Sequence, residues 1–152
     1  MMESQLQVYV KKVDAEKVRP LRHSELRKEQ DFSTTSYLKD CEESTFHMAC
    51  IVEKKVVTCA TFYPERSTKI KSEDAYRLRG MATNSKFQRK GYATDLMNES
   101  FKELKNRDCD MLWCNARLVA VDFYKSVGFN IIGEVFDIEA IGPHYYMYKE
   151  ID

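Results

Sequence analysis

The sequence predicts a single α/β domain over residues 1–152, and three observations carry that prediction. First, residues 76–114 spell a strand, helix, strand crossover. A β-favouring run from Tyr76 to Thr83 leads through a glycine-bearing loop into an amphipathic helix, and the helix leads to Met111-Leu112-Trp113-Cys114. That last run is wholly apolar, the mark of a strand covered on both faces. Second, two apolar, β-branched and aromatic runs, residues 45–53 and 56–63, are joined at Lys54-Lys55 and read as an antiparallel hairpin. Third, 152 residues of which 43% are hydrophobic suffice for one core and are too few for two.

In chain order, residues 5–13 alternate with Leu6, Val8 and Val10 on one face and form a first strand. Asp14 is placed to cap a helix from Ala15 to about Lys28, with Pro20 either kinking it or marking its first true turn. Residues 31–44 are polar and weakly patterned, the segment most suited to mobility and to lining a substrate cleft. After the hairpin, Pro64 ends the second strand and residues 65–74 form a charged loop. The helix after Gly91 places Ala93, Leu96, Met97, Phe101 and Leu104 on one stripe, with Asp95, Asn98, Glu99, Lys102 and Glu103 opposite. Asn115-Ala116-Arg117 reads as a polar break. A second helix then aligns Ala120, Phe123, Tyr124 and Val127, capped by Gly128 with Phe129 just beyond. Residues 131–138 form a strand, Gly142-Pro143 a turn, and residues 144–151 a last aromatic strand.

Composition narrows the function. Lys plus Arg and Asp plus Glu both total 24, and no basic stripe suits nucleic acid. No stretch approaches the ~20 apolar residues that span a bilayer, and the first twenty residues lack a signal core, so the expected location is the cytoplasm, away from membranes. Five cysteines, Cys41, Cys50, Cys59, Cys109 and Cys114, show no metal-ligand spacing and read as reduced thiols, so no metal is expected.

The loop Gln88-Arg89-Lys90-Gly91-Tyr92-Ala93-Thr94 carries the chemistry. A helix start presents unpartnered amides and the positive end of the helix dipole, which favour an anion. Gly91 lets backbone approach a diphosphate closely, and Arg89 and Lys90 add charge. No Walker string Gly-x-x-x-x-Gly-Lys-Ser/Thr and no three-glycine dinucleotide fingerprint is present. What remains, Gln88-x-x-Gly91-x-Ala93, resembles the acyl-CoA pyrophosphate loop of the GNAT superfamily of N-acetyltransferases. Asn115-Ala116-Arg117 and Ala120-x-x-Phe123-Tyr124-x-x-x-Gly128-Phe129 follow in that family's order and spacing, and the match covers roughly residues 76–150.

The resemblance implies a mixed, mostly antiparallel sheet flanked by helices, in which two central parallel strands splay apart to admit the pantetheine arm. It implies acetyl-CoA as cofactor, CoA as product, and direct transfer to a primary amine of a small molecule, protein or peptide in a ternary complex. By family position, the backbone of Met81, Ala82 and Thr83 would pair with pantetheine and polarise the thioester carbonyl. Gln88, Arg89, Lys90, Gly91, Tyr92, Ala93 and Thr94 would hold the pyrophosphate. Asn115 would bond the pantetheine arm, and Arg117 would help hold it or cap local carbonyls. Tyr124 would protonate the leaving thiolate, the alternative being a core aromatic. The general base is not assigned: the strand before the loop offers Arg77 and Arg79, no carboxylate, and His47, Glu134, His144 or a water chain are the candidates. The acidic trio Asp40, Glu42 and Glu43 would either meet a cationic amine or be a solvated loop. Tyr145, Tyr146 and Tyr148 would serve a homodimer interface or the core. Two other readings stand beside the enzyme: a non-catalytic acyl-CoA sensor, and an unrelated α/β domain for another phosphorylated ligand.

Overall fold

In the computed structural model, which describes residues 7–152, β1 (Val8–Val13) pairs antiparallel with β2 (Phe46–Val52), Val8 opposite Val52 and Val13 opposite His47. Gln5 and Leu6, the start of the expected first strand, lie outside the described residues. Strand β2 is buried throughout and pairs antiparallel with β3 (Lys55–Pro64). The hairpin turn is Glu53-Lys54 rather than Lys54-Lys55: both carry positive φ, +47° and +68°, the geometry of the two-residue turn that matches strand twist. Strand β4 (Ala75–Thr83) follows, then α2 (Tyr92–Asn106), β5 (Met111–Arg117), α3 (Val121–Ser126), β6 (Asn130–Ile138) and β7 (Gly142–Glu150). The strand order is β1-β2-β3-β4-β5-β7-β6. Every pairing with a described register is antiparallel except β4 with β5, which is parallel over Ala75–Met111, Tyr76–Leu112 and Arg77–Trp113. This is the mixed, mostly antiparallel sheet expected.

The chain divides into two compact units. One comprises the chain up to Phe62 with Gly80–Ser100; the other comprises Tyr63–Arg79 with Phe101–Asp152. In the first, α1 (Ala15–Leu26) buries Val18 and Leu21 against Cys59 and Ala82. It ends two residues earlier than expected and runs through Pro20. Asp14 holds the cap position with extended backbone, but its side chain makes no cap hydrogen bond.

Residues 31–44 are organised rather than patternless. A 3-10 turn at Phe32–Thr35 is capped by Asp31, which accepts from the Ser33 amide at 3.0 Å, and Thr35, Tyr37 and Asp40 are buried. The cause is Arg22, which is 0% exposed. Its Nη1 donates to Thr35 O and Asp40 Oδ2, both at 2.7 Å; Nη2 donates to Asp40 Oδ1 at 3.0 Å and Thr61 Oγ1 at 2.6 Å; and its guanidinium lies 3.8 Å from the Tyr37 ring centroid. A buried guanidinium demands this many partners, and the segment folds back to supply them. Asp40 is therefore an internal counter-ion and is not part of an acidic lure for amines.

In the second unit, Ala75, Met111, Trp113 and Tyr146 form a core that Ile70, Ile132, Phe136 and Tyr148 flank. Tyr146 stacks on Trp113 at 5.3 Å, so it serves the core. The expected polar break at Asn115-Ala116-Arg117 is strand: β7 supplies a partner for every residue of β5, ending with Arg117 opposite His144. The last turn falls at Glu139, Ala140 and Ile141, with Ala140 at φ +68°, and Gly142-Pro143 opens β7 instead. Helix α3 closes as expected of a glycine cap. The Phe129 amide bonds Tyr124 O and the Gly128 amide, at φ +102°, bonds Lys125 O, both at 3.0 Å, while the Phe129 and Tyr124 rings meet at 5.1 Å.

Candidate active site

Within the first unit, the end of β4 and the loop after it are tied to β3. The Asn84 amide donates to Val57 O at 2.8 Å; its carbonyl accepts from the Phe87 amide at 2.8 Å and its side chain from the Lys86 amide at 2.9 Å. Thr83 and Thr58 share a hydroxyl hydrogen bond at 3.3 Å. A 3-10 turn, Ser85–Phe87, delivers the chain to Gln88, Arg89 and Lys90, all exposed. Arg89 at φ +61° and Gly91 at φ +84° turn the backbone twice through the left-handed region. Helix α2 begins at once: Gly91 O accepts from the Asp95 amide at 3.0 Å, which leaves the amides of Tyr92, Ala93 and Thr94 as first-turn donors with no acceptor inside the helix. Nothing lies within 4 Å of where a Gly91 Cβ would stand. The loop thus offers a turned backbone, two cations and open space, which fits a diphosphate.

Upstream, Gly80 interrupts β4 at φ +64°. A Cβ there would sit 3.0 Å from Arg22 Nε and 3.2 Å from the Tyr37 ring, and Gly80 O accepts from Cys59 Sγ at 3.5 Å. Burial pushes the Cys59 thiol up to about 12, so it stays a donor near neutral pH. Gly80 and the Arg22 network packed against it, just before Met81, were missed by sequence reasoning. Two signals were present: a glycine inside a strand pattern, and an arginine four residues after Val18 on the apolar stripe of α1.

His47, in the same unit, is 4% exposed, with Nε2 3.0 Å from Asp40 O and Nδ1 2.7 Å from Thr61 Oγ1. A carbonyl only accepts, so Nε2 carries the proton and Nδ1 takes the Thr61 hydroxyl hydrogen. Both nitrogens are engaged.

In the second unit, Asn115 and Arg117 alternate with Cys114 and Ala116 along β5 and face Tyr146 and His144 across the β7 ladder. His144 is 3% exposed; its Nδ1 donates to Gly142 O at 2.7 Å, so in the neutral ring Nε2 bears the lone pair. Its ring lies 6.2 Å from Phe136. Tyr124 is buried on α3, and burial, then the neighbouring Cys114, drives its phenol well above the ordinary tyrosine value. The strand alternation therefore puts Asn115, Arg117 and His144 on one face of β5 and β7. Glu134 is exposed in a bulge, where residues 133–135 stand opposite the single Tyr145.

A mixed sheet with one parallel pair, and a cationic left-handed loop opening the helix between those two strands, match the arrangement expected of an acyl-CoA-dependent N-acyltransferase. The chain belongs to the Acetyltransferase (GNAT) family, whose pattern residues 14–129 match. It is 32% identical over 142 residues to the Bacillus subtilis (strain 168) protein named "Uncharacterized N-acetyltransferase YitI", covering 93% of this chain and 95% of that one. Among solved structures, an aminoglycoside 6'-N-acetyltransferase complexed with coenzyme A superposes with a TM-score of 0.77 at 14% identity, over 95% of this chain and 97% of the other. FeeM, an N-acyl amino acid synthase from uncultured soil microbes, superposes with a TM-score of 0.77 at 10% identity, over 97% and 92%. As a family member the chain is an acetyl-CoA-dependent N-acetyltransferase acting on an amine-bearing acceptor; membership does not favour the non-catalytic sensor, nor an unrelated phosphate-binding domain. Among the described residues, no helix is long and apolar enough to cross a membrane.

Proposed function

We propose that the chain is one N-acetyltransferase domain over residues 1–152. It would transfer acetyl directly to a primary amine in a ternary complex, with the pyrophosphate held by Gln88 to Thr94 and pantetheine by the backbone of Met81, Ala82 and Thr83. The observation that carries this reading is the left-handed Arg89 and Gly91 pair opening onto free space at the start of α2. Bound acetyl-CoA supplies an activated thioester; the chain's part is to orient it and manage two protons. Tyr124 is the candidate acid by its family position beside the sulfur: its phenol holds a proton at neutral pH, and the burial that raises its pKa means it gives that proton up only to a strongly basic thiolate. His144 suits the base role, since Gly142 O fixes its tautomer and Nε2 can accept a proton without breaking that bond. His47 could do so only by giving up a buried hydrogen bond, and Glu134 stands in solvent. Asn115 and Arg117, on the His144 face of β5, would contact the pantetheine arm.

Five free thiols fit a reducing compartment, and we place the enzyme in the cytoplasm. Any homodimer would use surfaces other than Tyr146, which the core occupies. Replacement of Gly91 by Val tests the loop: a β-branched residue at φ +84° that fills the open space should weaken acetyl-CoA binding at least tenfold with the fold retained. Unchanged affinity would remove the loop assignment.

A further inference from the structure

A cavity of about 460 Å³ opens beside β1, within the first unit. Its floor is apolar, made by Ile51 of β2 and Val56 of β3; its rim carries Tyr9 and Lys11 from β1, Lys17 from α1 and Lys54 from the hairpin turn. That volume lies within the range of small-molecule sites, and an apolar floor with a few convergent polar groups is their usual construction. Asp14 is the one carboxylate in the lining.

Two facts separate this cluster from ordinary surface lysines. Lysines on an exposed edge strand discourage edge-to-edge pairing, which accounts for Lys11 on β1, the end strand of the sheet, but not for Lys17 on a helix or Lys54 in a turn. The chain's formal charge is zero, yet neither Lys17 nor Lys54 has an ion-pair partner among the described residues. Tyr9 is 42% exposed and the Lys11 ammonium lies over its ring, 5.7 Å from the centroid, so the rim pairs an accessible aromatic ring with a cation.

We propose that this cavity is a second ligand site, for a small organic anion with a planar apolar body. The body would lie on Ile51 and Val56 beside the Tyr9 ring, and the anionic group would reach Lys17 and Lys54. A carboxylate and a phosphate ester share this chemistry.

The test is a methyl-resolved NMR titration of the full chain with benzoate, phenyl phosphate, neutral benzyl alcohol and inorganic phosphate. Both aryl anions should give saturable shifts at the Ile51 and Val56 methyls, the tighter one identifying the head group, with benzyl alcohol and inorganic phosphate at least tenfold weaker. The Lys17→Glu, Lys54→Glu double variant, altered only at exposed positions, should bind the aryl anions at least tenfold more weakly while melting at the wild-type temperature. The proposal is overturned if no shift saturates, if benzyl alcohol binds equally, or if the variant binds unchanged. Displacement of the probe by CoA would overturn it too, by giving the cavity to the cofactor.

Discussion

Replacing Asp40 by Asn removes the charge that balances Arg22 while keeping nearly the same shape. Arg22 is 0% exposed, and the two side chains meet through two hydrogen bonds, at 2.7 and 3.0 Å, with the Tyr37 amide giving Asp40 Oδ2 a third at 2.9 Å. An amide oxygen can keep one of these, but the guanidinium is left charged and uncompensated in a buried site. Breaking such a pair costs about 3–5 kcal/mol, against ~0–1 kcal/mol for an exposed one. For a domain of this length, 1 kcal/mol moves the melting temperature by about 2–4 °C, so the loss should be about 6–20 °C by calorimetry. Acid adds a second signature. Burial works to raise the Asp40 pKa, but the Arg22 and Tyr37 hydrogen bonds and the nearby charges outweigh it and hold the group below the usual carboxylate range. A folded-state pKa below the unfolded one contributes stability that is complete above the unfolded value and is lost as pH falls through the folded value. The Asn variant should therefore differ most from wild type at neutral pH and converge with it in acid. A loss under about 1 kcal/mol at pH 7, with no convergence, would refute the claim that Arg22 organises residues 31–44.

Two further outcomes follow from the second unit and from the thiols. Tyr124→Phe should bind acetyl-CoA near normally and turn over at least tenfold more slowly in an amine assay; equal turnover would reduce Tyr124 to a core aromatic packed on Phe129. Cys41 is exposed, whereas burial raises the pKa of Cys50, of Cys109 to about 11, of Cys59 to about 12, and of Cys114 further still. A native sample at pH 8 should thus show one fast thiol toward Ellman's reagent and five after denaturation, and a second fast thiol would contradict the burial.

What the sequence disclosed and what it hid divide along physical lines. Strand β2, the stripe of α2 and the glycine cap of α3 are local: period, apolarity and a left-handed glycine suffice to announce them. The order in residues 31–44 comes instead from Arg22, whose partners Thr35 and Asp40 lie 13 and 18 positions away and Thr61 lies 39 away. No window over a polar segment contains that information. The same holds for Asn115-Ala116-Arg117, polar in sequence yet held as strand by β7. Turn positions slipped because residues other than glycine took the left-handed sites: Glu53 and Lys54 in one hairpin, Ala140 in another. Around the candidate site, the loop stands out in the sequence because backbone chemistry there restricts residue choice. The Gly142 O bond to His144 does not, because it depends on where β7 begins.

The most direct measurement is thermal denaturation of the full chain with saturating acetyl-CoA, CoA, ATP or NADH in parallel, since a ligand that binds only the folded state raises the melting temperature. The account predicts a rise with acetyl-CoA and CoA and little with ATP or NADH. No rise with either CoA species, or a larger one with ATP, would contradict the assignment of Gln88 to Thr94 as the cofactor's diphosphate loop.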